Sequence, residues 1–133
     1  MKRVAASVGL AVVIAGSAQA QTGGKQVFAC IEQDANGFSH DGTSYRRQGF
    51  NPRKFTIVLD GMNLNVKIGN DEEPYICSKP FNSRNVLQCV EKTYFMVFSL
   101  DNHRFNRAQI LGPVSNTQKP DDMAVSYGTC QRF

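Results

Sequence analysis

Two histidines stand close to aspartates, His40 beside Asp41 and His103 two positions after Asp101. An imidazole oriented by a carboxylate is the ordinary equipment of a general base or a metal ligand. Such chemistry needs the two pairs brought together by the fold, because neither an H-x-H nor an H-E-x-x-H spacing occurs. The acidic run Asp71-Glu72-Glu73 has the residue type for paired-carboxylate glycoside hydrolysis. Adjacent acids at the end of a strand read more simply as a solvated turn. There is no G-x-S-x-G nucleophile motif and no glycine-rich phosphate loop. No residue is therefore assigned to catalysis, to a metal or to a cofactor, and a small secreted hydrolase or metal enzyme using His40, Asp41, Asp101 and His103 is kept as an alternative.

The richest chemistry for recognition lies in residues 34–53, DANGFSHDGTSYRRQGFNPR, where basic and aromatic residues mix and periodicity is weak. A structureless connection of nearly this length is uncommon unless it is functional or disordered. Tyr45, Arg46, Arg47, Phe50 and Arg53 are its candidate binding residues, suited to gripping an anion, stacking on a ring or docking a protein. The bland alternative is a solvated loop with Phe38 and Phe50 tucked beneath it. A second candidate surface is Arg104-Phe105-Asn106-Arg107, which as a strand puts Phe105 and Arg107 on one face. Its simpler reading is an edge strand protected by charge.

The elements that must position these residues belong to an exported chain. Residues 1–20 carry Lys2-Arg3, an apolar run and an Ala18-Gln19-Ala20 cleavage pattern, the three parts of a secretory signal peptide. The apolar run falls short of the roughly 20 residues that span a bilayer, and no second one follows, so the mature chain has no expected transmembrane segment. Removing Lys2 and Arg3 from the 15 basic residues leaves 13 against 11 acidic ones, a net of +2. That excess is too small to argue for a nucleic-acid partner. Residues 21–133 form a single expected domain, periplasmic or secreted.

All four cysteines, Cys30, Cys77, Cys89 and Cys130, lie in that domain, and an even number in an oxidising compartment favours two disulfides. Three pairings are open. The favoured one joins Cys77 to Cys89 across a short local loop and Cys30 to Cys130 between a first and a last strand, worth about 3 and about 4.5 kcal/mol on the chain-entropy model. Without C-x-x-C spacing, structural zinc is disfavoured.

Period-two alternation dominates. KQVFACI reads as a first strand, and KFTIVLDGMNLNVKIG as a hairpin turned at Asp60-Gly61. PYICS, NVLQCVE, TYFMVFSL, HRFNRAQIL and MAVSYGTC follow as further strands between turn-rich stretches. Regularly spaced short strands predict an all-β fold, a small antiparallel β-barrel or sandwich.

The early Phe28-x-Cys30 strand, KFTIVLDG at 54–61, the two central cysteines, the strand region 98–105 and the ending V-S-Y-G-T-C-x-x-F resemble uncharacterised small exported disulfide-containing proteins of proteobacteria and their phages, with Tyr45 where those tend to carry tryptophan. The resemblance implies a cysteine framework and a fold without implying an activity. Periplasmic lysozyme inhibitors share size, compartment and fold class, but their S-A-S-G-type inhibitory loop is absent.

The expected function is a binding module that presents loops on a disulfide-stabilised β-scaffold to a protein or anionic envelope partner, inhibition of a hydrolase being one such role. The enzyme above and a lipocalin-like carrier of a small ligand are the alternatives. Arg104 and Arg107 would join this surface if the fold brought them beside Arg46 and Arg47.

Overall fold

The computed structural model describes residues 24–82, 85–115, 118 and 120–133; the expected signal peptide at 1–20 lies outside the described residues. Nine strands follow in chain order among the described residues: β1 Gln26–His40, β2 Tyr45–Gly49, β3 Lys54–Asp60, β4 Asn63–Ile68, β5 Asp71–Ser78, β6 Val86–Glu91, β7 Tyr94–Ser99, β8 Arg104–Gln109 and β9 Met123–Arg132. Every pairing is antiparallel. Strands β3 to β9 run as a meander, and β9 pairs with β1, whose first half also pairs with β3, so eight strands close on themselves. The architecture is thus a closed barrel rather than a sandwich. β2 stands outside the ring, paired among the described residues with β1 alone.

The alternation read in the sequence fills the interior. Phe55, Ile57 and Leu59 on β3, Leu64 and Val66 on β4, Met96 and Phe98 on β7 all point inward and are buried. Phe28 meets Phe98 edge-on with ring centroids 5.0 Å apart, and Phe55 meets Phe105 in the same way at 5.0 Å, the geometry that ring quadrupoles favour. The β3–β4 turn places Gly61 at φ 61°, first of the two residues between the paired Asp60 and Asn63. Glycine adopts that backbone without the Cβ clash other residues meet.

Both disulfides are those favoured from the sequence, Cys30–Cys130 and Cys77–Cys89. Each joins directly opposed residues of neighbouring strands, β1 with β9 and β5 with β6. The first ties the last strand to the first across the seam of the barrel.

Two expectations are corrected. Residues 34–53 are not a long loop: β1 continues to His40 and returns as β2, with register from Asn36↔Gly49 to His40↔Tyr45. The alternation fails there because a bulge between Glu32 and Asp34 reverses which residues face inward, and because Arg46 to Gly49 are all exposed, leaving no buried face to pattern. Residues 104–107 are not an edge either, since β8 is paired with β7 on one side and β9 on the other.

The bulge needs close backbone approach. Gly128 is opposite Glu32, and a Cβ built on it would fall 2.0 Å from the Ile31 carbonyl oxygen and 2.7 Å from the Phe105 ring. Gly128→Ala is expected to cost about 2 kcal/mol through overpacking at the seam; urea denaturation of the oxidised protein measures it, with an unchanged midpoint as the contrary result.

Candidate binding surface at the mouth of the barrel

The antiparallel order gives the barrel a base, carrying the β3–β4 and β7–β8 turns, and a mouth, carrying the β1–β2 hairpin, the β4–β5 and β6–β7 turns and the β8–β9 connection. Five of the seven candidate binding residues, Tyr45, Arg46, Arg47, Phe50 and Arg53, come to the mouth.

At the hairpin tip Asp41 organises the turn. One carboxylate oxygen accepts the Thr43 and Ser44 backbone N–H groups at 2.9 Å each, and the other accepts the Arg46 guanidinium. These contacts, the Ser44 amide first and the Arg46 side chain next, lower the Asp41 pKa to about 2. The Tyr45 hydroxyl donates to the Asp121 carbonyl at 2.9 Å and so ties the hairpin to the β8–β9 connection. The His40 ring packs edge-on to Tyr45, centroids 5.1 Å apart. Arg47 lies opposite Phe38 on β1, which is 46 % exposed, and forms no ion pair among the described residues.

Below the hairpin a cleft of about 240 Å³ opens between Phe50, Asn51, Arg53, Gln109, Asp122 and the buried Glu32 and Ser126. Burying an unsatisfied carboxylate would be costly, and Glu32 is satisfied: it accepts the Ser126 hydroxyl at 2.7 Å and the Arg53 backbone N–H at 2.8 Å. The Arg53 guanidinium lies 3.6 Å from the same carboxylate but remains nearly half exposed. Sequence reasoning missed Glu32 and Ser126, because each lies inside a strand in no recognisable motif, and only their inward parity could have singled them out.

Arg107, expected as a surface residue, turns into the barrel and is 4 % exposed. The inward parity it shares with Phe105 forces this once β8 is an interior strand. It donates to both Glu73 carboxylate oxygens at 2.6 and 2.8 Å and to the Tyr75 hydroxyl at 3.3 Å, and its guanidinium lies 4.9 Å from the Tyr94 ring centroid. Burial alone would discourage its charge, but the Tyr75 oxygen and Glu73 outweigh that and raise its pKa. Burial, before any other cause, pushes the Tyr75 phenol far above its usual range. Glu73, read from sequence as part of a solvated acidic turn, is thus the internal partner of Arg107, whereas Asp71 and Glu72 are exposed. Arg104 is exposed but starts β8 at the base, away from the hairpin, so the arginines do not merge into one patch.

The histidine pairs are also kept apart. His40 closes β1 at the mouth, whereas His103 lies in the β7–β8 turn at the base, 5.3 Å from the Phe28 ring. Asp101 there accepts the Asn85 side-chain amide at 2.7 Å. No cluster of three or more His, Cys, Asp and Glu suited to a metal occurs among the described residues. No protein-family model, curated protein or solved structure matches the chain.

The Asp41 cap predicts a pH dependence. Its pKa lies below the ordinary 3.8, so its contribution to the tip is complete above about pH 4 and is lost as pH falls through about 2. The Thr43 and Ser44 amide shifts followed by NMR should titrate with a midpoint near 2, and an ordinary carboxylate midpoint would contradict the cap.

Proposed function

We propose that this protein is an exported binding module whose contact surface is the mouth of the barrel, formed by the β1–β2 hairpin and the adjoining cleft. The observation that carries this reading is the hairpin itself: β1 runs past the start of β3, where pairing ends at Ile31↔Lys54, and folds back outside the ring. A two-stranded ribbon left alone is marginal in water. This one is held by β9 alongside β1, by the Asp41 cap and by the Tyr45–Asp121 bond. A loop already ordered loses less entropy on binding, and Arg47, Arg53 and Phe38 remain available for contact.

Export accords with the signal-like residues 1–20 and with two disulfides, which persist in oxidising compartments. No helix among the described residues is long and apolar enough to cross a membrane. The carrier reading is less favoured, because the barrel axis is occupied by Phe28, Ile57, Tyr75, Met96 and Phe98, each 1 % exposed or less. A small-ligand carrier of this strand number needs that space open. The enzyme reading requires His40 and His103 to meet, and they stand at opposite ends.

Affinity capture from an envelope extract with oxidised residues 21–133 as bait tests the proposal. A partner should be enriched by the native bait and lost with Arg46→Ala/Arg47→Ala. That variant should melt nearly unchanged, as exposed substitutions cost within about 0.5 kcal/mol. Equal capture by both baits would remove the hairpin from the contact surface.

A further inference from the structure

The hairpin leaves an open sheet edge. Asp41 N–H bonds to Ser44 carbonyl at 3.0 Å at one end of the β1–β2 ladder, and Phe50 N–H to Ala35 carbonyl at 2.8 Å at the other. Antiparallel pairing alternates, so between these limits Arg46 and Gln48 direct their backbone groups at β1, while Tyr45, Arg47 and Gly49 direct theirs away from it. Since β2 pairs with no other strand among the described residues, these groups lie on a free edge, where the Gly49 carbonyl is met by the side-chain amide of Gln48. In the rest of the sheet each strand has a neighbour on both sides. We infer that the free edge of β2 takes up an extended, acidic segment of a partner as a further antiparallel strand. This deepens the reading above by naming the chemistry of the partner at the same surface.

Charge decides between occupants. A second copy pairing through β2 with all its outward backbone groups used would set Tyr45 against Gly49 and Arg47 against Arg47. Like charges directly opposed destabilise a sheet, whereas opposite charges there contribute up to about 1 kcal/mol. Arg46 is already neutralised by Asp41, but Arg47 has no such partner among the described residues and faces the same side as Phe38. An acidic residue opposite Arg47 completes an ion pair, while the residues on either side of it point to the other face of the sheet, the face of Arg46 and Gln48. Recognition by strand addition draws its affinity from main-chain bonds and its selectivity from such side-chain neighbours.

The probe is a capped peptide alternating Glu and Val, with its Lys–Val counterpart as control, titrated into the oxidised protein and followed by amide NMR. The amides of Tyr45, Arg47 and Gly49 should shift and gain exchange protection with the acidic peptide, while those of Arg46 and Gln48 keep the protection they already have. Arg47→Pro removes one edge donor and the charge and should weaken binding by about tenfold. Arg47→Glu keeps the N–H and should reverse the preference toward the Lys–Val peptide, so the inference survives a proline variant that disturbs the hairpin. Shifts confined to the cleft residues Phe50, Asn51, Gln109 and Asp122, absence of binding at millimolar peptide, or a concentration-dependent dimer formed through β2 would each overturn it. A partner captured through the hairpin, with the peptide failing at the edge, would sink strand addition while leaving the binding module intact.

Discussion

Everything at the mouth depends on the pairing of β1 with β9. This pairing runs from Phe28↔Arg132 to Phe38↔Met123, with one bulge, and the Cys30–Cys130 disulfide locks it. It brings the ends of the domain together across a separation of 100 residues, so in its absence the closure entropy would weigh heavily against the barrel. The same strand then supplies the hairpin. Because β1 is continuous through Gln26–His40, the rigidity fixed at the disulfide extends along one strand to the exposed tip.

Polarity changes along the barrel axis. Phe28, Leu59, Leu87 and Phe98 fill the region toward the base, whereas Glu32, Ser126, Arg107 and Glu73 occupy the inward positions toward the mouth, with the Tyr75 hydroxyl bonded to Glu73. Such groups are tolerated there because they satisfy one another. Removing one member of a buried charge pair of this kind typically costs about 3–5 kcal/mol. One group, Arg107 with Glu73 and Tyr75, ties β8 to β5, and the other, Glu32 with Ser126, ties β1 to β9 at the cleft.

The strands of the closed ring were readable in the sequence because each has one buried face, as in Phe55, Ile57 and Leu59 against Leu64 and Val66. The disulfide pairing was readable from strand order, first with last and neighbour with neighbour. The hairpin was not, since Arg46, Arg47, Gln48 and Gly49 are exposed on both faces and the bulge at Gln33 breaks the phase just before it. Arg107 was misplaced for a related reason. Its partner Glu73 lies on β5, 34 positions away in the chain, and nothing local to RFNR distinguishes an arginine facing an internal carboxylate from one facing water.

Amide hydrogen exchange tests most directly the claim that closure of the barrel holds the β1–β2 hairpin in place. The oxidised protein is compared with a Cys30→Ala/Cys130→Ala variant under native conditions. The account predicts that Arg46 and Gln48, bonded to β1, exchange slowly in the oxidised protein and lose protection together with the β1–β9 amides in the variant, since local opening there follows the seam. Hairpin amides that exchange freely in the oxidised protein, or that keep their protection after the β1–β9 amides have lost theirs, would contradict it.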